Sequence, residues 1–435
     1  MFIISAPVDT YSGYGARSRD LIKAIIALDK YDVKILPQRW GNTPWNFIED
    51  HRDTWGFLSQ YILTTPQLPK QPEIWAQVTI PNEFQPIGKF NIGFTAGIET
   101  TICAPGWIDG VNRMNVTFVS SEHSKRVFQE SAFEERHQGT GQPGRVIKLE
   151  KPVEVLFEGA DITKYFSTKD VPESNPTQLS KDLSDLPEEF CYLYVGHWLQ
   201  GDVGEDRKNT GLLVKAFYEV FKNKSKKPAL ILKTSGAGTS YMDREMILKK
   251  IAQIRKTVNS KDVPNIYLLH GELTDAEMNE LYNHTKVKAM VNLTKGEGFG
   301  RPLLEFSLSK KPIITTNWSG HTDYLNPEFV TLVTGQLVPV HDSAVNDWVL
   351  KDSMWFAPDT GQVGHYLKDV YVNYKNYTEG AKRQAYRSRT EFSFDKMTEV
   401  LGQYFVRYIP EFAKQVELKL PTLKKIELPK LQLKK

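Results

Sequence analysis

From Met1 onward, short apolar runs alternate with stretches whose apolar residues recur at helical spacing. MFIISAP predicts a strand, GARSRDLIKAIIAL a helix with one apolar face, and YDVKILP a second strand. FNIGFTA, VTFVSS with the helical EHSKRVFQES, and PVEVLFEG continue the alternation. Residues 167–188, STKDVPESNPTQLSKDLSDLPE, interrupt it with polar, proline-punctuated sequence and read as an interdomain linker. A second series follows: FCYLYVGHW, TGLLVKAFYEVF, PALILKT, MDREMILKKIAQIRKTV, NIYLLHG, TDAEMNELYNHT, KAMVNL and KPIITTN, strand and helix by turns. Strands separated by helices form parallel sheets covered on both faces. The pattern predicts an α/β chain of two Rossmann-like, doubly wound domains, residues 1–166 and 189–390. A ligand cleft is expected between the carboxyl ends of their facing sheets. FDKMTEVLGQYFVRYIPEF then predicts a long final helix within 391–412.

A length of 435 residues fits two cores better than one. The net charge of +3 changes the picture only at the end of the chain. Residues 414–435 hold seven lysines against two glutamates, a local +5, which leaves −2 for everything before them. Prolines in VELKLPTLKK and IELPKLQLKK argue against a regular helix in this basic tail, 413–435. It is expected to contact an acidic surface or another subunit. The apolar start is too short for a signal peptide and reads as a buried strand, and no stretch has the length of a transmembrane segment. The expected compartment is cytoplasmic. Cys103 and Cys191 are far apart, without metal-ligand spacing, and are expected to be reduced.

The segment KGEGFGRPLLEF, residues 295–306, carries the most specific chemistry. Pro302 suits a first helical turn, and Gly298 and Gly300 just before it admit close approach of a ligand to the backbone. Unpaired N–H groups there suit a diphosphate. Glu305, one turn in, suits a ribose diol, and Glu297 in the turn suits hydroxyls of a sugar beyond the phosphates. The same acids also fit the ordinary preference of carboxylates for helix starts, and Gly-x-Gly with proline marks any strand-to-helix turn.

The rest of the chain favours the first reading. GEGFGRPLLEF, with KAMVNL before it and KPIITTNWSGHTDYL after it, resembles the Glu-x7-Glu motif of retaining GT-B glycosyltransferases of family 4, glycosyltransferase group 1. PVEVLFEGADITKYF, with Gly159, Asp161 and Phe166, resembles the segment closing that family's first domain. YVGHW with DRKNTGLLVKAF resembles its donor-diphosphate loop, NIYLLHGELTDAEMNELY its base-side segment, and FSFDKM the start of its crossover helix to the N-terminal domain. The resemblance spans about residues 1–410 and is strongest over 190–325. It implies transfer of a sugar, a hexose or pentose, from a nucleotide-diphosphate sugar, UDP- or GDP-linked, with retention and without a metal or other cofactor. It also implies an N-terminal acceptor domain and a C-terminal donor domain.

Carried over residue by residue, Glu305 holds the ribose and Glu297 the donor sugar, with Gly298, Phe299, Gly300 and Gly271 lining the donor. Lys208 stands at the diphosphate lysine. Gly196 is followed by His197 where the family has an arginine, so Arg207 is the expected second cation. Two cations on a departing diphosphate stabilise charge that grows in the transition state. Gly13 and Gly15 in TYSGYGARSRDL read as a phosphate loop or as a plain tight turn. Glu99 reads as a cleft-facing acid near the reacting sugar, or as a surface acid or cap. Lys233 reads as a phosphate or base contact, or as a solvated strand end. Ser120, Ser121 and Glu122 resemble the family's strand-to-helix turn, and the serine reads as an N-cap or as a substrate contact. Trp107, Trp198 and Trp318 follow strand ends and read as core or as cleft wall. His321 and Asp323 lack any nucleophile turn that would make a hydrolase. The chain has no Asp-x-Asp triplet and no His/Cys ligand set for a metal. The acceptor class stays open among a glycan, a lipid-linked group and nucleic acid. Two other readings stay open as well: a DNA-modifying enzyme acting on a hydroxylated base, for which the basic tail speaks, and a non-catalytic nucleotide- or glycan-binding module.

Overall fold

The computed structural model describes residues 1–68, 70–136, 142–168, 177–236 and 238–412. The N-terminal strands are β1 (Phe2–Ala6), β2 (Val33–Pro37), β3 (Ile74–Val78), β4 (Phe90–Thr95) and β5 (Val116–Val119). An antiparallel hairpin of β6 (Phe133–Arg136) and β7 (Pro143–Ile147) precedes β8 (Val153–Val155). The sheet is parallel, in the order β2-β1-β3-β4-β5-β8. The second domain repeats the design with β9 (Cys191–Val195), β10 (Ala229–Lys233), β11 (Ile266–Leu269), β12 (Val287–Asn292), β13 (Ile313–Thr316) and β14 (Thr331–Val333). Its parallel order is β11-β10-β9-β12-β13-β14, and β15 (Gly335–Pro339) pairs antiparallel with β16 (Met354–Pro358).

Strands covered by helices on both faces read as near-continuous apolar runs. β1, β3 and β4 are buried along their whole length. In each domain the strand order reverses at the middle, between β1 and β3 and between β9 and β12. Loops leaving the carboxyl ends of two such strands diverge to opposite faces and leave a crevice between them. That crevice is where the GEGFG turn and the segment carrying Lys208 both emerge.

Of the linker expected over 167–188, residues 169–176 lie outside the described residues, which leaves chiefly residues 177–188. They pack on the second domain, with a helix at Gln178–Ser184. Thr177 caps it, its backbone N–H donates to Glu280 Oε1 at 3.0 Å, and Leu183 is buried. One short turn with two apolar residues gives little periodicity to read, while tertiary burial holds it in place.

Helix Phe394–Tyr408 returns to the first domain. Met397, Leu401 and Phe405 enter the same core as Phe2, Ile4 and Ile25, beside helix Gly13–Ala27. The return is locked where Ala160 exchanges backbone hydrogen bonds with Phe392 and Phe394, at 2.9 and 2.8 Å. A Cβ on Gly159 would lie 2.6 Å from Phe394 Cα, so this crossing requires glycine. Leu401→Ala, in a filled core, will cost about 2–5 kcal/mol of N-terminal domain stability. A urea midpoint equal to that of the unaltered protein would contradict this.

Cys103 and Cys191 are free and buried, and burial pushes both thiols up, to about 11 and about 12. Among the described residues no helix is long and apolar enough to cross a membrane. The basic tail 413–435 lies outside the described residues.

Candidate functional site at the domain junction

Residues 291–300 are buried without a break, the first three in the core of the second domain and the turn itself where both domains close over it. The Thr294 hydroxyl bonds the Gly296 carbonyl at 2.9 Å, and Glu297 N–H donates to Ser319 Oγ at 2.8 Å. Gly320 N–H returns a bond to the Glu297 carbonyl at 2.9 Å. Glycines allow the first domain to approach: a Cβ on Gly296 would stand 2.3 Å from the Glu99 carbonyl, and one on Gly298 3.0 Å from that of Ala96. Ser120 Oγ lies 3.0 Å from the Ala96 carbonyl and 3.2 Å from that of Gly298, bridging the domains. Ser121, one residue on, caps helix Glu122–Glu130. Asp323 Oδ2 accepts from the Glu122 N–H at 2.8 Å, a further tie across the junction.

The loop after β9 delivers the cations. Lys208 Nζ lies 2.7 and 2.6 Å from the two oxygens of Glu297, and Arg207 Nη1 stands 3.6 Å from the same carboxylate. Arg207 also donates to the Gly296 carbonyl at 2.8 Å and pairs with Glu99 at 3.1 Å. Burial pushes the Glu297 carboxyl up, but Lys208 and then Arg207 outweigh it and hold it at about 2. The Lys208 ammonium is lowered by the same burial, with Glu297 opposing. Glu99 therefore faces the junction, where Arg207 stands between it and Glu297. His197, exposed, sets its Nδ1 3.2 Å from Ser235 Oγ.

Glu305 lies on a helix of seven residues, Arg301–Ser307, entered through left-handed Gly300 at φ +86. Arg301 Nε donates to Glu305 at 2.8 Å, and Tyr282 OH stands 3.5 Å away. Burial raises the Glu305 carboxyl to about 7 against the pull of Arg301. Arg301 also pairs with Asp20 of helix Gly13–Ala27 and lies 4.0 Å from Glu158. Burial raises the Glu158 carboxyl too. Arg301, Asp20 and Glu158 are site residues that sequence reasoning did not single out. The Arg–carboxylate pair four residues apart on one helix was the available signal for Arg301.

At the β10 and β11 ends, Lys233 Nζ donates to the Gly271 carbonyl at 2.6 Å, and Gly271 has φ +113. Gly13 is exposed, with open space where a Cβ would stand. Gly15 instead meets Thr10, whose carbonyl would be 2.3 Å from a Cβ, so packing requires the glycine there. Phe299 is buried beside Tyr324, their rings 4.9 Å apart. Trp107 and Trp198 lie in cores, whereas half-buried Trp318 meets His123 edge-on at 5.0 Å. His321 is buried with Nε2 2.6 Å from the Thr316 carbonyl. Among the described residues no group of three or more His, Cys, Asp or Glu side chains is placed to hold a metal ion.

Two parallel-sheet Rossmann-like domains facing across such a junction make this the GT-B fold. Residues 193–349 match the family model of glycosyl transferases group 1. Among solved structures, a glycosyltransferase from Rickettsia africae aligns at TM-score 0.60 and 12% identity, over 94% of this chain and 98% of its own. Sucrose-phosphate synthase from Thermosynechococcus elongatus aligns at 0.59 and 11%, over 94% and 99%. Anabaena HepE in complex with UDP-glucose aligns at 0.56 and 12%, over 93% and 99%. Identities this low speak for the fold. No curated protein sequence matches the chain.

Proposed function

We propose that the protein is a glycosyltransferase that moves a sugar from a nucleotide-diphosphate sugar to an acceptor hydroxyl, with retention of configuration. The observation that carries this reading is the Lys208–Glu297–Arg207–Glu99 cluster at the switch point of the second sheet. The group 1 family match spans both motifs that build it, and the likeness to a UDP-glucose complex makes UDP-glucose the first donor to test. Lys208 and Arg207 would hold the diphosphate, Glu297 the sugar hydroxyls and Glu305 the ribose. The bond from sugar C1 to the diphosphate oxygen breaks, C1 joins the acceptor oxygen, and the acceptor proton leaves on the diphosphate. The glutamates position the donor and place charge; neither serves as a nucleophile.

The test is a panel of UDP-, GDP-, ADP- and CMP-sugars scored by thermal stabilisation and slow donor hydrolysis. One nucleotide class is expected to stabilise the protein and be hydrolysed; no response to any would overturn the reading. Affinity for UDP-glucose is expected to weaken as pH falls through about 7, because only ionised Glu305 accepts both ribose hydroxyls. Glu305→Gln should lower affinity and flatten this profile. The empty protein runs the other way. A carboxyl raised from 4.5 to about 7 contributes stability fully below 4.5, and that contribution is lost as pH rises through 7.

A further inference from the structure

Five tryptophans, Trp55, Trp75, Trp107, Trp198 and Trp355, are buried in cores. Trp40 and Trp45 are only half-buried, on the loop that leaves the carboxyl end of β2, beside the β1 loop and on the cleft side of the sheet. The loop is anchored. Gln38 N–H donates to the Ala6 carbonyl at 3.0 Å, Tyr11 N–H to that of Pro44 at 3.1 Å, and the Thr43 hydroxyl to that of Trp40 at 2.7 Å. Thr10 and Trp45 form an antiparallel bridge. Trp40 stacks on Tyr14 with ring centroids 3.9 Å apart and planes within 21°. The Tyr14 hydroxyl contacts Thr95 Oγ1 at 3.0 Å and accepts from the Ala96 N–H at 3.1 Å. Ala96 is the residue that Gly298 packs against, so the shelf stands one side chain from the donor turn. Gly13, next to Tyr14 in the chain, has open space where a Cβ would stand. Arg39 lies 4.5 Å over the Trp45 ring and presents an exposed guanidinium at the outer edge.

We propose that Trp40, backed by Tyr14, is the platform on which the terminal pyranose of a neutral glycan acceptor stacks, with Arg39 and Asn42 available to its hydroxyls. This rests on the glycosyltransferase reading and names the acceptor class for it. A flat indole with a fixed tilt offers an apolar face to the C–H side of a sugar ring and leaves the ring's hydroxyls free to turn toward the donor. Exposed Glu49, Asp50 and Asp53 follow in the same segment and outnumber Arg39 and Arg52, so the surroundings disfavour a polyphosphate chain.

Saturation-transfer NMR with methyl glycosides of glucose, galactose, mannose and N-acetylglucosamine tests this, with UDP affinity measured separately by calorimetry. At least one glycoside is expected to bind the unaltered protein. Trp40→Ala should weaken it about tenfold or more, and Trp40→Phe should retain most of the affinity. UDP affinity should stay the same in both variants. Absence of glycoside binding, glycoside binding unchanged in Trp40→Ala, or a hydroxymethylcytosine duplex that alone perturbs Trp40 would overturn the proposal. UDP binding accompanied by any of these outcomes sinks the acceptor shelf and leaves the donor reading standing. Trp40-dependent glycoside binding without any response to nucleotides does the reverse.

Discussion

Glu297→Ala will abolish sugar transfer, by on the order of a thousandfold or more, while leaving the protein able to bind UDP. The carboxylate is the common partner of Lys208 and Arg207 and sits where the glycine turn meets the first domain. Removing it takes away the group that would hold the sugar and frees Lys208 Nζ for phosphate. UDP affinity should therefore hold or rise while UDP-sugar turnover disappears. The variant will also be less stable. A carboxyl lowered from 4.5 to about 2 contributes on the order of 3 kcal/mol above 4.5, lost as pH falls through 2. Folding of the purified variant is read by circular dichroism. Full turnover in a folded variant would remove Glu297 from the mechanism, and weaker UDP binding would remove the argument about Lys208.

Arg301→Met will destabilise the protein by about 3–5 kcal/mol at neutral pH, because it strands carboxylates in a buried junction. Arg301 serves Glu305 on its own helix, Asp20 on the first helix of the other domain, and Glu158 beside them. Arg17, which donates to the Leu156 and Phe157 carbonyls, still offsets the charge of Glu158, so the deficit falls chiefly on Glu305 and Asp20. The loss should shrink on acidification, as Glu305 and Glu158, already raised by burial, take up protons. Urea midpoints at pH 8 and pH 5.5 separate this from lost packing, which would give the same deficit at both. Adding Asp20→Asn to Arg301→Met should recover part of the stability, since the two sites share one network.

The second domain was the more legible half. CYLYV, ALILK and VKAMVN are nearly continuous apolar runs of strand length, and TGLLVKAFYEVF coincides with helix Thr210–Phe221. Lys208 and Glu297 were legible because short motifs mark both, although 89 positions separate them. Arg301 and Asp20 are 281 positions apart, and no local pattern in either segment announces the other. β3, IWAQV, passed unnoticed beneath a proline-rich approach, though all its residues are buried. Gly15 looked like half of a ligand loop, yet its glycine answers to Thr10. The Trp40 shelf was hidden for a related reason. Only the fold stacks that indole on a tyrosine held at the end of another strand.

Gly296 and Gly298 bring the main chains of the two domains together, with the Glu99 and Ala96 carbonyls the nearest atoms across the gap. Separation there is set by covalent geometry and atomic radii. Rotamer changes, which let other interfaces adjust, have little to act on there beyond the Ser120 hydroxyl that bridges Ala96 and Gly298. The glycine turn is thus a mechanical stop. It defines how near the two halves of the molecule can come, and with that the width of the gap in which donor and acceptor must meet.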